Sequence, residues 1–388
     1  MFGYFQYDWA DSTTPLKEVG DGTVTTAYAS VYGFKEGMPY YFFNVFEELD
    51  AQNEWYIDKD ELKLYFIPPA DFQNKSLEIS LAVSDLITLQ NAQNITFDGI
   101  TFTGTRASAI CGTGSDITIQ NCTVKNVGEN AIELTGERIL VENNEITATG
   151  KAGVLLTGGD RETLTSSENV VTNNLIHDWS QVYRTYQAAV SLNGVGAVCS
   201  HNEIYNSPHE AVTYSGNNHV IEYNVIHDVV QESSDAGAIY AGRSWSYYGN
   251  VIRYNCIYNI GSGTFAPSGI YFDDALSGQQ AYGNLLVNIP GSAFLLGGRD
   301  LKIENNLIVN AAMPIAYDDR AMIDSSSSSW FRHSQTPGEG LWATLSEVDI
   351  HSKAWQDAFP QLAELSDDFD NTDDPLFAAN PANSSVKH

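Results

Sequence analysis

Two short phrases that recur in one register, in a chain rich in glycine and tyrosine, predict an all-β fold. The expected architecture is a right-handed parallel β-helix of about nine coils, preceded by a small N-terminal β module. The first phrase runs ILVENNEI (139–146), VVTNNLI, AVCSHNEI, VIEYNVI, VIRYNCI, AYGNLL and LKIENNLI (301–308). Each places an asparagine before an apolar pair: Asn144, Asn174, Asn202, Asn224, Asn255, Asn284 and Asn306. Their steps are 30, 28, 22, 31, 29 and 22 residues. A step of 22 reads as one minimal coil, and the longer steps as that coil with an inserted turn of 6 to 9 residues. Asp98 and Cys122 extend the column by two earlier coils.

The second phrase follows each first one, as in SAIC, NAIEL, AAVSL, EAVTY, GAIYA and SGIYF. Its apolar centre is Ile110, Ile132, Val154, Val190, Val212, Ile239, Ile270, Phe294 and Ile315. Short β-branched strands of period two turn alternate side chains inward. One coil cannot bury its apolar face alone, but stacked coils share a continuous core. The asparagines then form a ladder, since Asn tolerates left-handed backbone and its amide bonds the neighbouring coils. His177 and His227 read as residues of the adjoining turns.

Three segments are expected along the chain. Residues 1–85 lack the ladder and read as strands and hairpins, with EWYIDKDELKLYFIPP (54–69) ended by Pro68 and Pro69. Coils fill residues 86–322. Residues 323–388 read as a loop (Ser325 to Ser329), a helical stretch over 340–366 and a lead-in, NPANSSVKH, towards a further coil. Both ends look cut rather than capped, and solenoids need caps.

Composition narrows the partners. With 49 acidic and 19 basic residues, the formal charge is −30. Such a surface repels phosphate backbones and anionic lipid, so neither nucleic acid nor membrane is expected as a partner. A neutral oligo- or polysaccharide suits it better. Cys111, Cys122, Cys199 and Cys256 form no CxxC pair, so they are expected to pack rather than hold zinc. The first residues carry no signal-peptide pattern.

Residues beside the inward apolar centre must point outward. That row reads Glu133, Leu155, Ser191, Thr213, Tyr240, Tyr271, Leu295 and Ala316. The row two residues further on reads Thr135, Thr157, Asn193, Ser215, Gly242, Asp273, Gly297 and Asp318. Between residues 191 and 274 these rows turn polar and aromatic. Candidate catalytic residues are Asp235, Asp273 and Asp274; candidate substrate-binding residues are His209, Glu210, Asn193, Tyr240, Arg243, Trp245 and Tyr271. Paired carboxylates are what glycoside hydrolysis needs: one protonates the leaving oxygen and the other attacks or activates water. Aromatic faces stack on sugar rings, and Arg243 could hold a carboxylate ionised or bind a sugar hydroxyl.

Plainer readings stand beside these. Asp273–Asp274 would also cap a turn, as Asp318–Asp319 suggests; Asp235 would also satisfy amides at a strand start; His209 follows Pro208 at a strand entry. Extended strands would put Asp235 and Asp273 about 23 Å apart, at ~3.3 Å per residue. The pair works only if 231–236 folds back over the face. Otherwise Asp235 meets His209 or Glu210, and Asp273 meets Asp274 or Arg243.

The phrases NVFEELDAQNEWYIDKDELKLYFIPP, SPHEAV, SDAGAIYAGRSW, NVIRYNCIYNI and GIYFDDALSG resemble bacterial β-helix glycosidases of glycoside hydrolase family 141 and its relatives, over about residues 1 to 380. The resemblance implies a secreted, periplasmic or cell-surface enzyme on plant-wall glycans, of the fucoside- or xylan-cleaving kind. It places the catalytic pair at Asp235 and Asp273, with Asp274 the second choice for the latter. The chain departs from the family at Ala51-Gln52-Asn53, where Pro-Gly is usual, and at Glu61, where Gly is usual. The family also has a leader and an earlier β-helix portion before GYFQYDWAD. A β-helix xylosidase family with a sandwich insertion is a weaker resemblance.

Three functions compete. A glycoside hydrolase needs no cofactor. A polysaccharide lyase or epimerase on the same scaffold would need a calcium cage of carboxylates. A non-catalytic glycan-binding solenoid would bind without turnover.

Overall fold

The computed structural model describes residues 1–75, 77–318, 340–362 and 385–387. The chain divides into two compact units, Met1–Ser80 and Leu81–His388.

The first unit is built from short antiparallel pieces. Phe2–Gly3 pairs with Ser12–Thr13 and with Tyr40–Tyr41. Leu16–Gly20 pairs with Thr23–Thr26. Trp55–Asp58 pairs with Lys63–Phe66, which is the hairpin expected before Pro68.

The second unit is a right-handed parallel β-helix. Three strand faces recur along the coils, and the named strands among the described residues of this unit pair in parallel. Right-handed crossover is the only hand in which right-twisted strands pack back readily on themselves. On the first face, Ile87, Ile110, Ile132, Val154, Val190, Val212, Ile239, Ile270, Phe294 and Ile315 lie in one column. This is the apolar column read from the sequence, lengthened by one coil at Ile87. On the second face the column includes Val141, Val171, Cys199, Ile221, Ile252, Ala281 and Ile303. In the described piece Ser385–Lys387, Val386 pairs in parallel with Ile303. The third face stacks Val124, Ile146, Ile176, Ile204, Ile226, Ile257, Leu286 and Ile308. These columns fill one continuous core.

The asparagine ladder stands between the second and third faces. Nδ2 of Asn144 donates to Oδ1 of Asn174 at 2.9 Å, and the pattern repeats through Asn202, Asn224, Asn255 and Asn284 to Asn306. Each Nδ2 also donates to a carbonyl of the preceding coil, as from Asn202 to Val171 at 3.0 Å. Two details differ from expectation. The left-handed residue is the one before each ladder asparagine, namely Asn143, Asn173, His201, Tyr223, Tyr254, Gly283 and Asn305. The ladder residue keeps its amide for the neighbouring coil, so its predecessor makes the bend. Cys122 does occupy the ladder place, its N–H donating to Asn144 at 2.9 Å. Asp98 does not: it pairs in register with Gln120, and Ile100 stands opposite Cys122.

A second ladder stands where the first face turns into the second. Asn169, His219 and Asn250 accept the amides of Ile139, Ala197 and His219 respectively. Outside the third face, His177, Tyr205, His227 and Tyr258 form one stack, with ring centres 4.8–5.0 Å apart.

Helices Gly340–Ser346 and Lys353–Ala358 fall inside the stretch expected to be helical. They lie against the coils. Leu341, Leu345, Trp355, Phe359 and Leu362 form a second core with Trp245, Tyr248 and Ala275. Ser325 to Ser329, Asp319 and residues 363–366 lie outside the described residues.

Candidate functional site

The first face carries the candidate residues because period-two strands turn every second side chain out. Register confirms both outward rows through their middle: Ser191, Thr213, Tyr240 and Tyr271 in one, Asn193 with Ser215 and Gly242 with Asp273 in the other.

Asp273 ends its strand and is buried, as is Asp274. The Tyr240 hydroxyl donates to Oδ2 of Asp273 at 2.8 Å. The Asp274 amide donates to its Oδ1 at 2.9 Å. Arg243 Nε lies 3.2 Å from Oδ2 of Asp274 and 3.9 Å from Oδ2 of Asp273. Two small residues allow this crowding. A Cβ on Gly242 would come within 2.9 Å of the Tyr240 hydroxyl, and one on Gly297 within 2.8 Å of the Asp274 amide.

Asp235 comes from the inserted turn, and that turn does fold over the face. The Tyr271 hydroxyl donates to Oδ1 of Asp235 at 2.9 Å, and Tyr271 stands two residues before Asp273 on the same strand. The strand-based separation is therefore overturned, because residues 231–236 are not extended. Glu232 anchors the turn through its amide to Pro208 O at 3.0 Å and its ion pair with Arg184.

Both phenols stay protonated. Burial, then the charge of Asp273, pushes Tyr240 and Tyr271 far above the ordinary tyrosine range; Glu210 adds to Tyr240, and Asp235 to Tyr271. The two rings meet edge to face, 5.4 Å between centres. The site thus holds two acids on fixed hydroxyl donors, further carboxylates close by, and one guanidinium.

The other candidates divide. His209 and Glu210 are buried, with Nδ1 3.5 Å from Oε2 of Glu210. Asn193 is half-buried and accepts from Ser215 at 2.7 Å. Trp245 is a correction: its side chain is buried in the second core, so its ring is no solvent-facing platform. Residues of the helical stretch, among them Leu341, Trp355 and Phe359, share this core with it.

Sequence reasoning missed two features. Asp318, read as a turn cap, has a carboxylate within 4.8 Å of those of Asp273 and Asp274. Gly297 stands between them in the stack and contributes no side chain; a glycine between two outward aspartates was the available signal. The helical strap was also missed as a neighbour. Arg161 pairs with Glu347 and donates to Ser246 at 2.9 Å, and Trp355 Nε1 donates to Arg161 O at 2.9 Å. This clamps the turn after Arg243. Nothing in the spacing of residues 340–362 shows which coil they touch.

A family model described as right handed beta helix region matches residues 72–194. No curated protein and no solved structure matches the chain. A right-handed β-helix carries glycosidases, lyases and binding proteins alike, so the chemistry must be argued from the site.

Proposed function

We propose that the chain is a glycoside hydrolase acting on a neutral plant-type or complex glycan, with Asp235 and Asp273 as its two acting carboxylates. The observation that carries this reading is the Tyr271 hydroxyl, which holds Asp235 from the inserted turn at 2.9 Å, two residues along the strand from Asp273. Such pairs act at about 5–9.5 Å, which requires the two acids to share one part of the face, as the inserted turn lets them do. Asp273 is held by Tyr240 and a backbone amide, which suits the residue that must meet the sugar carbon or its attacking water in one orientation. Asp235 is exposed on a turn, where it can reach a leaving-group oxygen. The surrounding carboxylates favour the positive charge that grows on the sugar ring in the transition state. The resemblance to glycoside hydrolase family 141 supports the same pair, a plant-wall substrate and a secreted bacterial enzyme.

The test is hydrolysis of a panel of aryl glycosides. Asp235→Asn and Asp273→Asn should each lower kcat by about 10²–10⁴-fold, with an unchanged circular dichroism spectrum. Activity retained in both variants would refute the assignment.

The acids Asp273, Asp274 and Asp318 favour one second reading, a calcium-dependent lyase. Arg243 already engages two of these carboxylates, which weighs against a cation there. Product absorbing in the ultraviolet, lost on chelation, would select the lyase.

A further inference from the structure

The first face continues beyond the acid centre. Its second outward row runs back through Ser215, Asn193, Thr157 and Thr135, aligned in parallel register. Exposure is graded along it: Thr135 and Thr157 are exposed, Asn193 and Ser215 half-buried, Asp273 buried. None of the four leading residues is charged. They offer hydroxyl and amide groups at four successive coils, with Gly242 leaving the next coil open before Asp273, and coils lie ~4.8 Å apart. At the far end is a cavity of about 570 Å³, whose lining includes Asp85, Ser108, Thr113, Glu133 and Thr135. Five coil spacings separate it from Asp273, roughly 24 Å.

One edge of this strip is formed by the turns that enter these strands, and it is aromatic. Lys151, paired with Glu129, lies over the Tyr183 ring at 4.6 Å. The Tyr186 ring lies 6.2 Å from that of His209, and Arg184 between the two tyrosines pairs with Glu232. Tyr183 is nevertheless 43% exposed and Tyr186 60%. Two phenols are thus presented to solvent on a turn tied down by ion pairs, between the cavity and the acid centre. An exposed ring with an apolar face and a polar tip suits a sugar, which has the same division.

We infer that this strip is an extended binding site for a linear, uncharged glycan, reaching from Asp273 to the cavity at Glu133, with Tyr183 and Tyr186 stacking on sugar rings. One sugar of an extended chain is about as long as one coil is high, so the coils of Thr135, Thr157, Asn193 and Ser215 can each present a polar group to one ring. The inference rests on the carbohydrate reading of the acid centre but not on its chemistry. It makes the substrate a polymer or long oligosaccharide rather than a small glycoside.

The test uses arrays of linear plant-wall oligosaccharides of two to eight sugars, probed with the full chain carrying Asp235→Asn, a substitution at an exposed carboxylate. For the glycan class bound, six sugars should bind at least 10-fold more tightly than two. Adding Tyr183→Ala and Tyr186→Ala should erase that gain, with the melting temperature unchanged. Affinity independent of length, affinity unaffected by the tyrosine substitutions, or no binding to any linear glycan overturns the inference. Aryl glycosides reach only the acid centre, so the two readings fail separately. Hydrolysis without length dependence overturns the strip alone; length-dependent binding without hydrolysis overturns the hydrolase alone.

Discussion

Single residues in this solenoid matter through what the next coil asks of them. Asn202 accepts the amide of Asn174 at 2.9 Å and donates to Val171 and Asn224 at 3.0 and 2.9 Å, all away from water. Asn202→Ala should therefore destabilise the coils by roughly 2–4 kcal/mol, because it orphans groups on both neighbours; urea unfolding measures it, and a loss under 1 kcal/mol would mean the ladder merely decorates the turn. His219 makes a different demand. Its Nδ1 accepts the Ala197 amide and its Nε2 faces Ser215 O, which only the neutral ring satisfies. Burial lowers its pKa to about 4, against ~6.5 unfolded. Between those values the unfolded chain takes up a proton that the folded chain refuses. Stability from this ring is thus full above about pH 6.5 and falls as pH drops towards 4, by about 3 kcal/mol in all. Asparagine fills the matching place one coil later, at Asn250, and two coils earlier, at Asn169. His219→Asn should flatten the stability profile over that window; an unchanged slope would assign the acid sensitivity elsewhere.

Among the elements, the inserted turns and the helical strap decide the site, while the strands only carry it. The turn over 231–236 brings Asp235 to Tyr271. The turn after Arg243 is held by Arg161 and by the strap, through Ser246 and Trp355. Trp355 is wholly buried, so Trp355→Ala should cost about 3–5 kcal/mol of local stability. Amides of residues 340–362 would then lose protection from hydrogen exchange while those of the Ile110–Ile257 columns keep theirs. Equal loss in both would mean that strap and coils unfold as one unit. The His177–Tyr258 stack shows the same economy of position, since identical places in successive coils put ring on ring.

The whole molecule carries a formal charge of −30. Self-repulsion should therefore oppose folding. Raising salt from about 0.01 to 1 M shortens the screening length from about 30 to 3 Å, and the melting temperature should rise. A fall would mean that surface ion pairs such as Arg138–Asp116 outweigh the repulsion. At this scale the molecule also divides its labour. The three inward columns are nearly invariant in character from Val124 to Ile303. The outward rows change from Glu133 to Tyr271 along one face, so chemistry varies along an axis that stability leaves alone.

Repetition explains what could be read early. A β-helix is one local rule applied many times, so the apolar columns, the ladder from Asn144 to Asn306 and the outward rows were all legible from spacing alone. The errors arose where the rule stops. Asp98 was aligned at a coil whose ladder place holds Ile100, and the bend was assigned one residue late, because spacing marks the repeat but not which backbone turns. Nothing near Trp245 in the sequence shows the helices that bury it, because they come from distant residues. The approach of Asp235 to Asp273 was a choice between open alternatives in the sequence, since an inserted turn has no period. Only the tertiary structure decided it: the amide of Glu232, the Arg184 pair and the Tyr271 hydroxyl are contacts between coils, and they exist only once the coils are stacked.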